Sequence, residues 1–176
     1  MPTLIRIEGG HAAIAEDVST FIGDEDEIPA SGDVVLSLAR FQSEGEGLMA
    51  SGRRVGVRLQ PGEDVEALAY DLPRLGLVEL RFDKFRDGRP YSSAVLLRER
   101  FGYAGELRAV GDVLREQAQH MLRCGFDAFV PADGSSSQEW LAATRRYRHV
   151  YQGAADDRTP IYAERAQGQP AAREEV

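Results

Sequence analysis

The chain has 176 residues, 43% of them hydrophobic, enough for one domain with a full apolar core. A formal charge of -8 argues against non-specific nucleic-acid binding and against docking on anionic lipid, since both need a basic surface. No apolar run reaches the ~18 to 20 residues of a membrane span, the N-terminus lacks the basic-then-apolar pattern of a secretion signal, and the single cysteine, Cys124, cannot form an internal disulfide; a cytoplasmic location is expected.

In chain order, residues 1–32 read as a periphery. Gly9-Gly10 within the apolar stretch Leu4 to Ile14 predicts a small hairpin. Asp24-Glu25-Asp26-Glu27 reads as a solvated acidic loop, and ordered structure is expected from about Asp33. An α/β domain then runs over 33–152. Strands are predicted at Val34–Leu38, Val55–Leu59, Leu77–Phe82, Glu106–Val110 and Phe126–Val130. Helices are predicted at Ala39–Ser51, Asp64–Asp71, Tyr91–Phe101 and Asp112–Cys124. A last helix, Gln138–Val150, carries Trp140, Thr144, Tyr147 and Tyr151 on one stripe. The pattern is clearest in Asp112–Cys124, where Val113, Leu114, Gln117, Ala118, Met121 and Leu122 form a single apolar-rich face. From Gly153 the composition predicts a flexible C-terminal tail, 153–176.

Arg74-Leu75-Gly76, Arg100-Phe101-Gly102 and Arg123-Cys124-Gly125 repeat Arg-x-Gly ahead of a strand. A glycine past the last helical turn closes the final carbonyls in a left-handed conformation, and an arginine there favours the negative helix end. Repeated strand–helix units imply right-handed crossovers and a mostly parallel sheet. The fold class is therefore α/β, either partial (β/α)-barrel-like or an open doubly wound sheet; five units are too few for a closed eight-fold barrel.

In such folds ligands bind beyond the carboxyl ends of the strands. That points to residues 83–92, to Gly111-Asp112 and to Ala132–Ser135. In the first, Lys84 and Arg89, with Arg86 and the amides opening the next helix, would form an anion site, with Tyr91 and Ser92 orienting the ligand. The same residues also read as a turn at Asp87-Gly88, a helix cap at Ser92 and solvated cations. Asp87 and Asp112 are the candidate general bases, and Gly111 lies at the same strand-end rim; Asp112 also reads as a helix N-cap.

Arg58, Arg81 and Arg108 occupy matching places in three strands. They either line a pocket for a polyanion or are stapled by Glu79 and Glu106. Cys124 reads as a small buried hydrophobe. His11, His120 and His149 lack metal-ligand spacing, and no nucleotide or cluster motif is present, so neither metal nor cofactor is expected.

The runs Lys84-Phe85-Arg86-Asp87-Gly88-Arg89-Pro90-Tyr91-Ser92, Leu96–Tyr103, Gly105–Arg115 and Leu122–Phe129 together resemble a bacterial family catalogued as domain of unknown function 934. Its members carry the label of an oxidoreductase in sulfite reduction. The resemblance covers about residues 33–152 and is densest over 84–129. It implies a role beside assimilatory sulfite reductase in sulfur and cysteine metabolism. The implied partners are the reductase or its electron donor and a small anionic ligand, with homo-oligomerisation left open. Lys84, Asp87, Gly88, Arg89, Tyr91, Gly111, Asp112 and Cys124 fit the family pattern, whereas Arg81, Asp83 and His120 depart from it. An oxidoreductase role would borrow a partner's cofactor. The expectation is an accessory protein of sulfite reduction that binds an oxyanion or the reductase. The alternative is a small-molecule enzyme on a partial barrel, with Asp87 or Asp112 as general base.

Overall fold

The computed structural model describes residues 3–8, 11–156 and 158–167. Strands β1 (Leu4–Glu8) and β2 (His11–Ala15) form an antiparallel hairpin, whose Gly9-Gly10 turn lies outside the described residues. Six strands follow: β3 (Ser19–Ile22), β4 (Asp33–Ser37), β5 (Val55–Leu59), β6 (Leu77–Phe82), β7 (Glu106–Gly111) and β8 (Ala128–Phe129). From β4 on, each pairs parallel with its chain predecessor, and β1 pairs antiparallel with β8. The sheet order is β2-β1-β8-β7-β6-β5-β4-β3. From β3 to β8 the order never reverses, so the sheet is not doubly wound.

The sheet is forced to curl. Its two edge strands, β2 and β3, are joined only by Glu16-Asp17-Val18. Four Cα steps span about 14 Å, whereas the edges of a flat eight-stranded sheet lie roughly 34 Å apart at ~4.8 Å per strand. The architecture is therefore a mixed α/β half-barrel.

Strand alternation divides the two faces. Leu36, Val57, Val78 and Leu107 stand in register on one face, with Leu59, Leu80, Ala109 and Phe129 beyond them. They form the core with the helical elements, α1 (Leu38–Ala50), α2 (Arg89–Val95), α3 (Ala118–Arg123) and α4 (Ser137–Thr144), through Phe41, Ala94, Met121 and Trp140. A fifth helix, α5 (Ile161–Ala166), follows in the segment expected to be a tail. No helix among the described residues is long and apolar enough to cross a membrane.

The opposite face lines the hollow, and it is charged. Arg58, Glu79, Arg108, Ala128 and Arg6 stand in one row across β5, β6, β7, β8 and β1. Arg108, 2% exposed, reaches Glu79 at 3.0 Å, Asp17 at 3.1 Å and Glu106 at 2.7 Å. Glu106 also accepts from Arg6, and Glu79 from Arg58, each at 2.7 Å. The Arg58 guanidinium lies 3.6 Å above the Phe21 ring. Three cations face three carboxylates. Burial opposes the charge on Asp17, but bonds from the Ser19 hydroxyl and Arg108 outweigh it and hold the carboxyl below its ordinary pKa. Of the three strand arginines, Arg58 and Arg108 are thus stapled by acidic neighbours, while Arg81 bonds Asp83 at 2.9 Å nearer the strand end.

All five predicted strands are present. The N-terminal region is no periphery: β1 and β3 join the sheet, and Asp17 enters the hollow. Gly102 (φ +62) and Gly125 (φ +97) are left-handed stops as expected; Gly76 is not, and instead leaves room for Arg54. The α2 helix continues as a π turn, Leu96–Arg100. The expected helix from Asp112 starts only at a 3-10 turn, Arg115–Gln117. The last predicted helix stops at Thr144, so Tyr147 and Tyr151 leave its stripe and are exposed.

Arg108→Ala would leave Asp17, Glu79 and Glu106 facing one another, and denaturant unfolding should record a loss of about 3–5 kcal/mol. Asp17 titrates lower folded than unfolded, so its contribution is complete above the ordinary carboxylate pKa and is lost as pH falls through the folded value. Asp17→Asn should remove that part of the acid limb; an unaltered acid transition would refute the assignment.

Candidate functional site

The carboxyl ends of β6 and β7 are fastened together by residues of the segment that follows β7. The Asp112 carboxylate accepts the Phe85 N–H at 2.7 Å, and the Asp112 N–H donates to the Phe82 carbonyl at 2.8 Å. The Gln117 amide donates to the Phe85 carbonyl at 3.1 Å and to the Tyr91 hydroxyl at 3.0 Å, while its oxygen accepts the Leu114 N–H. Loop 83–88 is therefore pinned at both polar groups of Phe85. Gly111 permits this approach: its φ is +95, and a Cβ would run into the Phe82 carbonyl. Asp112 caps the neighbouring loop and not its own helix, whose N-cap position is Leu114. The sequence placed Gln117 on a buried helix face and gave no sign of its polar bridge.

Asp87 and Arg89 meet each other. The Asp87 carboxylate accepts from Arg89 Nε at 2.9 Å, Arg89 Nη2 at 2.6 Å and the Arg89 backbone N–H at 3.1 Å. The side-chain bonds from Arg89 hold the Asp87 carboxyl below its ordinary pKa. The anion slot predicted at the start of α2 is thus filled by the chain's own carboxylate. Arg89 also lies over the loop after β5, where a Cβ on Gly62 would come within 3.2 Å of Nη1. Lys84 and Ser92 are exposed. The predicted site residues therefore form two groups, Asp87 with Arg89, and Asp112 with Tyr91 through Phe85 and Gln117.

The Tyr91 ring packs 5.1 Å from Phe82 and 4.6 Å from His120, and burial pushes its phenol up to about 12. The third strand-end segment is also structural. Asp133 accepts from the Ser135 N–H and hydroxyl, and Ser135 accepts the Trp140 indole N–H at 2.8 Å. Burial pushes the Cys124 thiol up to about 11, which keeps it protonated. Among the described residues no group of three or more His, Cys, Asp or Glu could hold a metal ion.

On the helix-free face, a cleft of about 280 Å³ opens at the carboxyl half of the strands. Its walls are Asp17, Arg58, Glu79, Arg81, Val110, Gly111 and Val130. Of the residues expected at the strand-end rim, Gly111 reaches it, and Arg58 and Arg81, two of the three matching strand arginines, line it.

Asp112→Ala should destabilise the fold by about 1–2 kcal/mol and speed amide exchange at Phe85. Asp112→Asn, whose side-chain oxygen still accepts, should keep most of that protection. Equal Phe85 protection in Asp112→Ala and wild type would show that the loop is held by other contacts.

No curated protein matches the chain. The pattern of a family described as bacterial protein of unknown function (DUF934) matches residues 56–162. The match begins within β5 and ends in α5, so it includes the pinned loop, β7, β8 and most of the cleft wall. The chain belongs to this DUF934 family of bacterial proteins.

Proposed function

We propose that the protein is a cytoplasmic accessory of assimilatory sulfite reduction that holds a small oxyanion at the carboxyl end of its sheet and supplies no general base. The pathway comes from the sequence resemblance; the geometry bears on the choice between holding a ligand and catalysing its reaction. The observation that carries this choice is that each carboxylate that could serve as the general base, Asp87 or Asp112, is engaged by other groups of the protein. Asp87 is clamped by Arg89 through three hydrogen bonds, and Asp112 holds the Phe85 amide. A general base needs a free lone pair aimed at the substrate and a pKa near the working pH; Asp87 is shifted the opposite way. Cys124, the residue with redox chemistry of its own, is buried and protonated. Electrons would then come from a partner, the reductase or its donor.

Cells lacking the protein should grow normally on cysteine and poorly on sulfate or sulfite as sole sulfur source. Asp87→Asn and Asp112→Asn variants that fold should restore growth. Failure of a folded Asp112→Asn protein to complement would favour the general-base alternative. Growth independent of sulfur source would remove the sulfite role.

A further inference from the structure

We infer that the cleft at the mouth of the half-barrel, between Arg58 and Arg81, is the site that binds a small oxyanion. This rests on the ligand class proposed above and moves its site from the 83–92 loop to the helix-free face. Both arginines line the same cleft, and each is oriented through Nε by a carboxylate: Arg58 by Glu79 at 2.7 Å, Arg81 by Asp83 at 2.9 Å. Phe21 supports Arg58 from below. Among the described residues, neither guanidinium uses an Nη atom in a hydrogen bond within the protein. Two held forks therefore keep their terminal donors for a ligand.

The charges lining the cleft cancel, Arg58 and Arg81 against Asp17 and Glu79, but the hydrogen-bonding capacity does not. Both Glu79 oxygens are already occupied, by Arg58 and by Arg108. The Asp17 oxygens accept from Ser19 and Arg108. Every one of these oxygens already accepts a bond from the protein, whereas the Nη atoms of Arg58 and Arg81 donate none to the described residues, so a ligand rich in acceptors is the better match. A compact group with three or four oxygens fits guanidinium forks. The volume of about 280 Å³ suits a sulfate-sized ion with attendant water. Val110 and Val130 add apolar wall, which strengthens each charge-assisted bond by displacing water. In the loop, Arg89 is already engaged through Nε and Nη2, and the exposed Lys84 and Arg86 have no carboxylate among the described residues to orient them as Asp83 orients Arg81.

The test is calorimetric titration of the purified protein with sulfate, sulfite and phosphate, at ionic strength held constant with chloride. Saturable one-to-one binding is expected. Arg81→Gln should weaken it about tenfold or more, and Lys84→Gln and Arg89→Gln should change it by less than about twofold. Asp83→Asn keeps an oxygen that can accept from Arg81 Nε but removes a negative charge beside the ligand, and should tighten binding, a gain that misfolding cannot produce. If the loop variants lose binding while Arg81→Gln keeps it, the cleft is overturned and oxyanion holding stays on the loop. Binding indifferent to every variant also overturns the cleft. If no oxyanion gives saturable heat, the cleft and the oxyanion-holding clause both fall, and the accessory role is judged by the growth experiment alone.

Discussion

Arg108 is the point at which the charged face of this curled sheet is tied together. It is a buried cation in a central strand, and it joins the β2–β3 link through Asp17, β6 through Glu79 and its own strand through Glu106. The acidic partners extend the network to β1 and β5 through Arg6 and Arg58. A closed (β/α)8 barrel fills its interior with layers of branched apolar side chains. Here the barrel is partial and its hollow opens to water, so an apolar filling would leave exposed hydrophobic surface. Paired charges suit a hollow that is neither sealed nor fully solvated. Such networks add little net stability over apolar packing, but a missing member is costly. Their effect is to discriminate between registers: a slip of one residue would turn Glu79 and Arg108 into the helix-covered core.

The parts of this fold legible in the sequence are those set by local pattern. Apolar runs marked β4 to β8, and left-handed glycines marked two helix ends. Glu79 and Glu106 were readable as staples because their neighbours on adjacent strands are arginines. What could not be read depends on distant partners. Strand β3 has four residues, and the Asp17 beside it acquires meaning only from Arg108, 91 positions away. Asp112 looked like a helix cap because it precedes a helical pattern, but its acceptor serves Phe85, 27 residues earlier. In the Asp87–Arg89 segment the residue types are those of an anion site, and types alone do not reveal that the loop supplies its own anion.

In the 83–88 loop the backbone of Phe85 is held by Asp112 and Gln117 and the Asp87 carboxylate by Arg89, so these groups act as framework for the strand ends. In the hollow, Arg58 and Arg81 are each held through Nε by a carboxylate and keep their Nη donors free of bonds to the described residues. Both arginines fall inside the family match, whereas Asp17 and Phe21, which complete or support that cleft, precede it. The N-terminal strands thus do more than extend the sheet: they supply part of the cleft's wall and backing.

The seam between β2 and β3 carries no backbone ladder. In a closed barrel, neighbouring strands there would be sewn by amide hydrogen bonds, which respond little to pH or salt. In this protein the fastening is a carboxylate on the connecting link, held by a guanidinium on the far wall. The covalent link brings the two edges together, and the Asp17–Arg108 pair is the electrostatic latch that ties that link to the wall of the hollow, so this corner answers to acid and salt where a backbone ladder would not.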